Sequence, residues 1–313
     1  MHGKIAFLFP GQGSQVIGMG RDLAERFPHS KSLFDNLDKL SPRPISKLCF
    51  EGPMDELTQT VNLQPALTTV NLVCLSSLAE SNIRPAVSAG HSLGEYAALA
   101  AAGVITEFDA IRLSRKRGEL MQREADRNPG SMAAVMGLSM KQVDEVVRIA
   151  TEKGVVAVAN HNTAQQIVIT GQKEPLAYAI ELLKQKGAKA IPLNVSGAWH
   201  SPLMKNAVQE FRDFMQDITF HKPESQILFN ATASEETDPQ KIKDIMSNQL
   251  VQPVRWHDIM LKLLKDGVDI FVEVGPKNVL IGLLKKTLPR ESKVKTYNVG
   301  DLKGLKTFLE SMT

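Results

Sequence analysis

Short segments of strand length alternate with helical segments in the first third of the chain. Residues 4–9 predict a buried strand that stops at Pro10-Gly11, and residues 85–90 predict a second strand. Strands that alternate with helices favour a parallel sheet covered by helices, so the predicted fold class is α/β. The helical segments between and after these strands cover residues 64–80, 93–102 and 109–124.

The order of predicted elements changes after the turn cluster Asn128-Pro129-Gly130. The next segment has the order strand, helix, strand, strand, helix, strand, which is the order of a ferredoxin-like βαββαβ unit. We therefore expect a subdomain at residues 130–195, inserted into a core formed by residues 1–129 and 196–313. One continuous α/β domain is the alternative. The predicted strands of the subdomain are residues 131–137, 155–159, 166–170 and 188–193, and its predicted helices are residues 140–153 and 174–186.

Beyond residue 195 the pattern returns to mixed helix and strand. Apolar spacing predicts helices at residues 203–215, 239–249 and 256–265, followed by a buried strand at residues 270–274. The sequence contains neither an internal repeat nor a low-complexity linker.

Composition excludes whole classes of protein. The 313 residues are 43% apolar and carry 37 Lys and Arg against 34 Asp and Glu, a formal net charge of +3. This apolar content excludes intrinsic disorder, and the weak charge with 5% aromatic residues argues against nucleic acid binding. No apolar stretch approaches the roughly 20 residues needed to cross a bilayer, and no signal-peptide pattern is visible. We expect a cytoplasmic protein without a membrane partner.

The sequence gives no sign of a bound metal or cofactor. Cys49 and Cys74 cannot form a disulfide framework or a cysteine-rich metal site, and HExxH and CxxC patterns are absent. We expect both thiols to be buried in a reducing compartment. The loop Gly11-Gln12-Gly13 follows the first strand, but Val16 stands where a dinucleotide fingerprint needs glycine. This loop either brings a backbone N–H to a ligand oxygen or is a plain turn.

Gly90-His91-Ser92-Leu93-Gly94 is a G-x-S-x-G sequence between a predicted strand and a predicted helix. A tight strand-to-helix turn needs small residues on both sides and lifts the serine hydroxyl out of the sheet edge. The N-terminus of the following helix favours negative charge, as on a developing oxyanion. Ser92 is therefore a candidate nucleophile; a glycine-rich turn with a capping serine is the alternative.

A nucleophilic serine needs a base, and an acidic substrate needs a cation. Of seven histidines, His200 lies in an irregular segment between a strand and a helix, where functional loops are expected, although a surface histidine is the alternative. Arginines and a lysine crowd the helix at residues 109–124; a solvated charged face explains most of them, whereas an arginine aimed into the site would bind a carboxylate. These cations are Arg112, Arg115, Lys116 and Arg117.

The ordered motifs resemble those of bacterial malonyl-CoA:acyl carrier protein transacylases and the related acyltransferase domains of polyketide synthases. They run nearly from end to end, which makes the set more specific than any one motif. They are Phe9-Pro10-Gly11-Gln12-Gly13-Ser14-Gln15, Gly90-His91-Ser92-Leu93-Gly94-Glu95-Tyr96, Arg115-Lys116-Arg117-Gly118, Asn162 before Gln165-Gln166-Ile167-Val168, Val195-Ser196-Gly197 leading to His200, Gln249-Leu250 before Pro253-Val254-Arg255-Trp256, and Glu273-Val274-Gly275-Pro276.

The resemblance implies a role for individual residues. Ser92 would be the nucleophile, His200 its base, and Gln249 the residue that helps to orient His200. Arg117 would bind the free carboxylate of the malonyl group. The implied oxyanion donors are the backbone N–H groups of Gln12 and Leu93, and the implied pocket residues are Met121, Asn162 and Trp199.

The resemblance also implies a fold, a substrate and a partner. The fold would be a hydrolase-like core with a mainly parallel sheet and a small ferredoxin-like insertion. Malonyl-CoA would be the substrate, with no tightly bound cofactor, and an acidic, phosphopantetheinylated acyl carrier protein would accept the malonyl group. A basic docking patch is expected for that partner. Its candidates, each of which could also be a solvated surface charge, are Lys189, Lys285, Lys286, Arg290, Lys293 and Lys295.

The chain departs from the family pattern at two places. Trp199 precedes His200 where many relatives have Phe, so we expect an acyl pocket of different shape. Lys277-Asn278 stands where relatives often have a further glycine, which we expect to alter a loop.

Other functions remain open at this point. A free-standing acyltransferase of a polyketide synthase would carry the same residues. A serine esterase is disfavoured because 113 residues follow His200 and the HGGG-type oxyanion motif is missing. A non-catalytic carrier-binding scaffold would have no need for Ser92, His200 and Arg117.

Overall fold

Two separate β-sheets organise the chain in the computed structural model, which describes residues 3–289 and 291–312. The strands are β1 Ile5–Phe9, β2 Val87–Gly90, β3 Gly130–Met136, β4 Val156–Thr163, β5 Gln166–Gln172, β6 Lys189–Pro192, β7 Gln226–Leu228, β8 Ile270–Val274 and β9 Lys295–Val299. The helices are α1 Arg21–Arg26, α2 Pro28–Lys39, α3 Ile45–Glu51, α4 Met54–Thr58, α5 Thr60–Glu80, α6 Glu95–Ala101, α7 Glu107–Arg127, α8 Met140–Ala150, α9 Lys173–Gln185, α10 Lys205–Gln216, α11 Pro239–Asn248, α12 Trp256–Lys265, α13 Val279–Thr287 and α14 Leu302–Met312. Short 3₁₀ helices cover Ser92–Gly94, Thr151–Lys153 and Pro202–Met204.

The larger sheet has five parallel strands in the order β7-β2-β1-β8-β9. Every residue of the central strand β1 is buried, because helices cover both faces of the sheet. Phe7 and Phe9 point into one apolar cluster, while Ala6 and Leu8 point into the cluster on the opposite face. A strand buried on both sides reads as a largely apolar run. Strand β1 is entirely apolar, and β2 and β8 each carry one polar residue, Ser88 and Glu273, so all three were predicted from the sequence.

Helix α5 forms much of the first apolar cluster. It is buried almost continuously from Asn62 to Leu78, and its sequence accordingly contains no charged residue before Glu80. Helices α5 and α7 lie against each other, and the contact is close enough that a Cβ on Gly118 would lie 2.9 Å from the carbonyl oxygen of Thr60. This packing carries one face of α7 into the interior of the protein.

The smaller sheet is antiparallel, with the order β4-β5-β3-β6. It is built from consecutive elements β3, α8, β4, β5, α9 and β6, as predicted. Helices α8 and α9 bury their apolar sides against it, in a cluster separate from those of the parallel sheet. The two sheets are linked where Val254 exchanges backbone hydrogen bonds with Ala159 and His161, at 2.8 and 2.9 Å.

The structure contains elements that were not predicted from the sequence, namely helices α1, α2, α3, α4, α13 and α14 and strands β7 and β9. Helices α1, α3 and α4 have five to seven residues, too few to show a helical period. Strand β7 has three residues, and the edge strand β9 is polar and largely half-buried, so neither forms an apolar run. None of the described helices is long and apolar enough to cross a membrane.

The turn after β2 lies directly against the end of β1. A Cβ placed on Gly94 would be 2.0 Å from the carbonyl oxygen of Phe9, a distance that forces the backbone to move. Ser92 adopts a left-handed backbone conformation with φ 52°, which non-glycine residues adopt at a cost. The glycine therefore permits the close approach, and the surrounding contacts hold the strained serine.

We expect Gly94→Ala to lower the free energy of unfolding by roughly 1–3 kcal/mol or more, because the added methyl group overpacks the end of β1. Gly282→Ala is the matched control: Gly282 lies inside α13, and its Cβ would meet nothing within 4 Å. That control should raise stability by up to about 1 kcal/mol, since alanine favours helix. Denaturant unfolding of both variants checks this, and equal effects would contradict the packing argument.

Candidate active site

The carboxyl ends of β1 and β2 lie side by side, because Phe9 pairs with Gly90 in the parallel sheet. Gln12 follows β1, and Ser92 and Leu93 follow β2. In open parallel sheets, ligands bind outside these carboxyl ends. The sequence-predicted residues Gln12, Ser92, Leu93, Arg117, Met121, Trp199 and His200 all line one cavity of about 120 Å³ at this edge.

Ser92 and His200 form a hydrogen-bonded pair. The Ser92 Oγ atom lies 2.7 Å from His200 Nε2. On the other side of the ring, His200 Nδ1 lies 3.0 Å from the carbonyl oxygens of both Gln249 and Gln252. Because carbonyl oxygens only accept, Nδ1 carries the proton and Nε2 presents its lone pair to the serine hydroxyl. This is the tautomer that a general base for Ser92 requires.

His200 is held in its neutral form. It is 3% exposed, and burial together with the positive charge of Arg117 lowers its pKa from 6.5 to about 3, against the opposing effect of the Gln249 carbonyl. A neutral imidazole can accept the serine proton. Since the folded state resists this protonation, His200 destabilises the fold progressively as the pH falls below the ordinary histidine pKa of 6.5.

Arg117 is the cation on the face of α7 that is packed into the interior of the protein. Its guanidinium is 1% exposed and donates through Nε to Gln249 Oε1 at 3.1 Å and through Nη1 to Gln64 Oε1 at 2.9 Å. Its Nη2 donates to the nucleophile candidate Ser92 Oγ at 3.1 Å. Burial lowers the pKa of Arg117, but a guanidinium stays protonated at physiological pH.

The other cations of α7 lie on its outer side. Arg112 pairs with Asp109 at 2.8 Å, Arg115 with Glu119 at 2.9 Å, and Lys116 with Glu210 at 2.6 Å. The solvated charged face predicted for this helix therefore describes these three residues, and Arg117 is the member that points into the cavity.

Gln249 contacts His200 through its backbone and not through its side chain. Its backbone carbonyl, together with that of Gln252, orients His200. Its side chain turns away from the histidine: Nε2 donates to the carbonyl oxygen of Ser92 at 2.8 Å and to the carboxylate of Glu95, while Oε1 accepts from Arg117. The Gln249 amide thus contacts the nucleophile turn and the buried cation, and backbone oxygens stand where many hydrolases have a carboxylate.

Asn162 lies outside the cavity wall, in contrast to the expectation that it lines the pocket. Its Oδ1 lies 2.8 Å from Nε2 of His91, whose ring packs edge-on against Trp256. Asn160 lines the cavity instead. The reason is a pair of register irregularities in β4, the second at Asn162, which break the regular alternation of side chains between faces.

The loops after β1 and β2 approach each other closely at the cavity. A Cβ on Gly11 would lie 2.4 Å from the carbonyl oxygen of His91 and 3.7 Å from the backbone nitrogen of Leu93. This approach brings the Gln12 and Leu93 backbones to the same cavity as Ser92. The geometry is compatible with two backbone N–H groups that converge on one substrate oxygen.

Four residues that contact the predicted site residues were not themselves predicted from the sequence: Gln64, Glu95, Asn230 and Gln252. Glu95 offered a signal, since it is a carboxylate in the first turn of an otherwise apolar, Ala-rich helix. Asn230 and Gln64 offered none, because their contacts with Ser92 and Arg117 join residues far apart in the sequence. Among the described residues, no group of three or more His, Cys, Asp or Glu side chains could hold a metal ion.

Comparison with known proteins identifies the class. Residues 6–312 match the family model described as the acyl transferase domain, so the chain belongs to the acyl transferase family. A malonyl CoA-acyl carrier protein transacylase of Bacillus subtilis (strain 168) is 42% identical over 311 residues, which cover 99% of this chain and 97% of the relative. One of the same name from Haemophilus influenzae is 36% identical over 309 residues, covering 98% and 99%. The family resemblance predicted from the sequence is confirmed.

Solved structures agree with this assignment. An acyl carrier protein S-malonyltransferase from Vibrio cholerae superposes with a TM-score of 0.92 at 37% identity, covering 97% of this chain and 99% of that chain. A malonyl-transacylase solved in complex with its type II PKS acyl-carrier protein has a TM-score of 0.93 at 35% identity, covering 98% and 99%. The likeness therefore spans both sheets of the protein.

The low pKa of His200 leads to a spectroscopic prediction. Its imidazole resonances should not titrate between about pH 5 and pH 8, since the ring remains neutral throughout this range. Histidine-selective NMR spectra, with the His200 signals assigned by comparison with His200→Gln, measure this directly. A titration midpoint near 6.5 would show that the burial of this ring does not suppress its protonation.

Proposed function

We propose that this protein transfers the malonyl group of malonyl-CoA to the phosphopantetheine thiol of acyl carrier protein, and so supplies extender units for fatty acid synthesis. The observation that carries the proposal is a buried guanidinium 3.1 Å from a serine hydroxyl that is itself paired with a neutral histidine. A serine–histidine pair performs acyl transfer. The adjacent cation selects an acyl group with a free carboxylate. The relatives named above carry malonyl transacylase names.

In the first half-reaction, Ser92 Oγ attacks the thioester carbonyl while His200 Nε2 takes the hydroxyl proton. The carbonyl oxygen becomes an oxyanion, which the backbone N–H groups of Gln12 and Leu93 stabilise. The imidazolium is stabilised by the carbonyl oxygens that accept from its Nδ1. When the carbonyl re-forms, the C–S bond breaks, coenzyme A leaves with the proton from His200, and a malonyl-serine ester remains.

The second half-reaction reverses these roles. His200 Nε2 takes the proton of the carrier-protein thiol, and the sulfur attacks the ester carbonyl of malonyl-Ser92. The C–O bond to Ser92 breaks, the serine recovers its proton from His200, and the malonyl thioester of the carrier protein leaves. A thiolate is a better leaving group than an amine, so a histidine oriented by carbonyl oxygens suffices without a carboxylate behind it.

Arg117 determines which acyl group is accepted. Gln64 and Gln249 fix the guanidinium plane, and the Nη2 group that contacts Ser92 in the free protein would donate to the malonyl carboxylate. An acetyl group would leave this buried cation without its anionic partner, which is costly. Met121 and Trp199 line the same cavity and would limit the size of the acyl group.

We further propose that residues 130–195 form a ferredoxin-like subdomain inserted into a hydrolase-like core made of residues 1–129 and 196–313. The antiparallel order β4-β5-β3-β6, built from one continuous βαββαβ segment, supports the subdomain. The parallel sheet with its nucleophile turn after β2 supports the core. The cytoplasmic location stays a prediction.

The acidic carrier protein would dock on exposed lysines near the junction of the two sheets. Lys286 on α13 donates to Gln166 at the start of β5 at 3.0 Å, so this helix end adjoins the small sheet. Lys189 begins β6 and lies opposite Met136 in that sheet. The lysines of this proposed patch, all exposed, are Lys189, Lys285, Lys286, Lys293 and Lys295. Arg290, the remaining predicted member, lies outside the described residues.

A polyketide pathway is the second candidate for the same reaction. It is favoured by the likeness to the malonyl-transacylase that was solved with a type II PKS acyl-carrier protein. Transfer rates to carrier proteins of both pathways would separate the two, because the chemistry at Ser92 is common to both.

The first prediction of this function is a covalent adduct. Incubation with malonyl-CoA should add one malonyl group to the protein, on Ser92, because the ester persists until a carrier thiol arrives. Intact-mass spectrometry detects the adduct, and Ser92→Ala is the matched control. An unmodified wild-type protein, or an adduct that survives in Ser92→Ala, would refute the proposed intermediate.

The second prediction concerns selectivity. Arg117→Ala should reduce the ratio of malonyl to acetyl transfer by on the order of 100-fold, because a site built to pair a carboxylate loses its partner. Arg117→Lys keeps the charge without the planar fork and should recover a small part of the ratio. Parallel kcat/KM measurements with malonyl-CoA and acetyl-CoA test this. Equal losses with both substrates would remove Arg117 from carboxylate recognition.

A further inference from the structure

Glu95 is a buried carboxylate directly beneath the nucleophile turn. It lies in the first turn of α6 and is 1% exposed. Its Oε1 accepts from the backbone N–H of Asn230 at 2.7 Å, and its Oε2 accepts from Nε2 of Gln249. Glu95 is not among the residues that line the cavity, so it has no direct part in the reaction described above.

The two residues that donate hydrogen bonds to Glu95, Asn230 and Gln249, also form hydrogen bonds with the backbone of Ser92, one at its N–H group and the other at its carbonyl oxygen. Asn230 Oδ1 accepts from the Ser92 N–H at 2.6 Å, and Gln249 Nε2 donates to the Ser92 carbonyl oxygen at 2.8 Å. Asn230 also donates to the carbonyl oxygen of Gly90 at 2.6 Å. Ser92 has a left-handed conformation with φ 52°, which persists when surrounding contacts hold it. Glu95 is the residue to which both of these contacts connect.

The same carboxylate fixes the orientation of the Gln249 amide. An amide can present either its oxygen or its nitrogen to a neighbour, whereas an ionised carboxylate only accepts. Glu95 therefore holds Nε2 of Gln249 toward itself, and this leaves Oε1 free to accept from Arg117 Nε at 3.1 Å. If the amide turned over, its NH₂ group would face the guanidinium and Arg117 would lose an acceptor.

Charge balance supports this arrangement. Arg117 is buried, and the negative charge of Glu95 counteracts the effect of burial on the pKa of the guanidinium. Burial raises the pKa of Glu95 to about 7 even though hydrogen bonds from Asn230 and Gln249 and the charge of Arg117 favour the ionised form, in which both oxygens accept as observed. A buried cation with a nearby anion costs less than an isolated one.

We propose that Glu95 is a positioning residue that holds the Ser92 turn through Asn230 and sets the orientation of Arg117 through Gln249. This inference rests on the proposed malonyl transfer and deepens it. It assigns the selectivity for a carboxylated acyl group partly to a residue that never touches the substrate.

Glu95→Gln tests the role with almost no change in volume. The new side chain has one acceptor, which the Asn230 N–H requires, so its NH₂ group faces Gln249 and turns that amide over. We expect kcat/KM with malonyl-CoA to fall roughly 10- to 100-fold, since small displacements of reacting groups cost about this much. The loss with acetyl-CoA should be smaller, because acetyl transfer depends on the Ser92 turn but not on Arg117.

Glu273→Gln is the matched control for loss of a buried carboxylate. Glu273 lies on β8, and its two oxygens accept from the backbone N–H groups of Leu280 and Ile281 at 3.0 and 2.9 Å, away from the residues that line the cavity. Burial raises its pKa to about 7, as it does for Glu95. This variant should lower the melting temperature and leave the malonyl-to-acetyl ratio unchanged.

The double variant Glu95→Gln/Gln249→Glu covers the case in which the single variant does not fold. It returns one carboxylate to the pair, and this carboxylate can accept both from the new amide at position 95 and from Arg117. It should restore most of the malonyl-to-acetyl ratio that Glu95→Gln loses or, if the single variant is unfolded, keep a ratio close to that of the wild type. The total rate should stay reduced, because the Ser92 carbonyl loses its donor.

The outcomes separate this inference from the proposed function. If the wild-type protein forms no malonyl adduct, malonyl transfer itself is refuted. If the wild type forms the adduct, two results overturn the role of Glu95 alone. These are malonyl kinetics of folded Glu95→Gln within twofold of the wild type, and a malonyl-to-acetyl ratio that stays unchanged in Glu95→Gln or is lost in the double variant.

Discussion

The burial of one guanidinium organises the candidate active site. A cation removed from water is costly unless hydrogen bonds and a nearby anion compensate it. Arg117 meets this requirement with Gln64, Gln249 and Ser92 as direct partners and with the charge of Glu95 behind Gln249. Because these partners come from α5, α6, the turn after β2 and the segment after α11, stabilising the charge also fixes the relative positions of these elements. The same contacts bring the cation to the nucleophile.

The electrostatics of the site follow from this cation. Its charge and the exclusion of water both disfavour a second positive charge, and so His200 is neutral with Nε2 free to accept a proton. The imidazolium that forms during acyl transfer is therefore a high-energy species. The two carbonyl oxygens at Nδ1 are placed to stabilise it. In the proposed reaction, a malonyl carboxylate that neutralises Arg117 would also stabilise it and so strengthen His200 as a base, which an acetyl group would not do.

The sequence predicted the parts of this site that depend on local patterns. The G-x-S-x-G turn needs glycines because strand and helix meet there at a close contact, and strands β1 and β2 are largely apolar because both of their faces are buried. The motifs marked Arg117 and His200 as candidate site residues, but their contacts could not be predicted, because neither a helix face nor a position in a loop shows which residues a side chain meets. Glu95, Asn230 and Gln64 were missed because their roles depend on pairings between distant segments. Asn162 was assigned to the pocket by the family resemblance alone, and the structure places Asn160 in the cavity wall instead.

The parallel and antiparallel sheets contribute different parts of the candidate site. The reactive groups Ser92, His200 and Arg117 are held by residues outside the antiparallel sheet, namely Gln64, Glu95, Asn230, Gln249 and Gln252. Met132 and Asn160 of the antiparallel sheet, with Leu193 just beyond it, contribute a further part of the cavity wall. Under the proposed function, a change in this part of the wall would alter the space for the acyl group while Ser92, His200 and Arg117 keep their contacts. The antiparallel sheet would therefore shape the acyl pocket together with Met121 and Trp199, without holding the reactive groups.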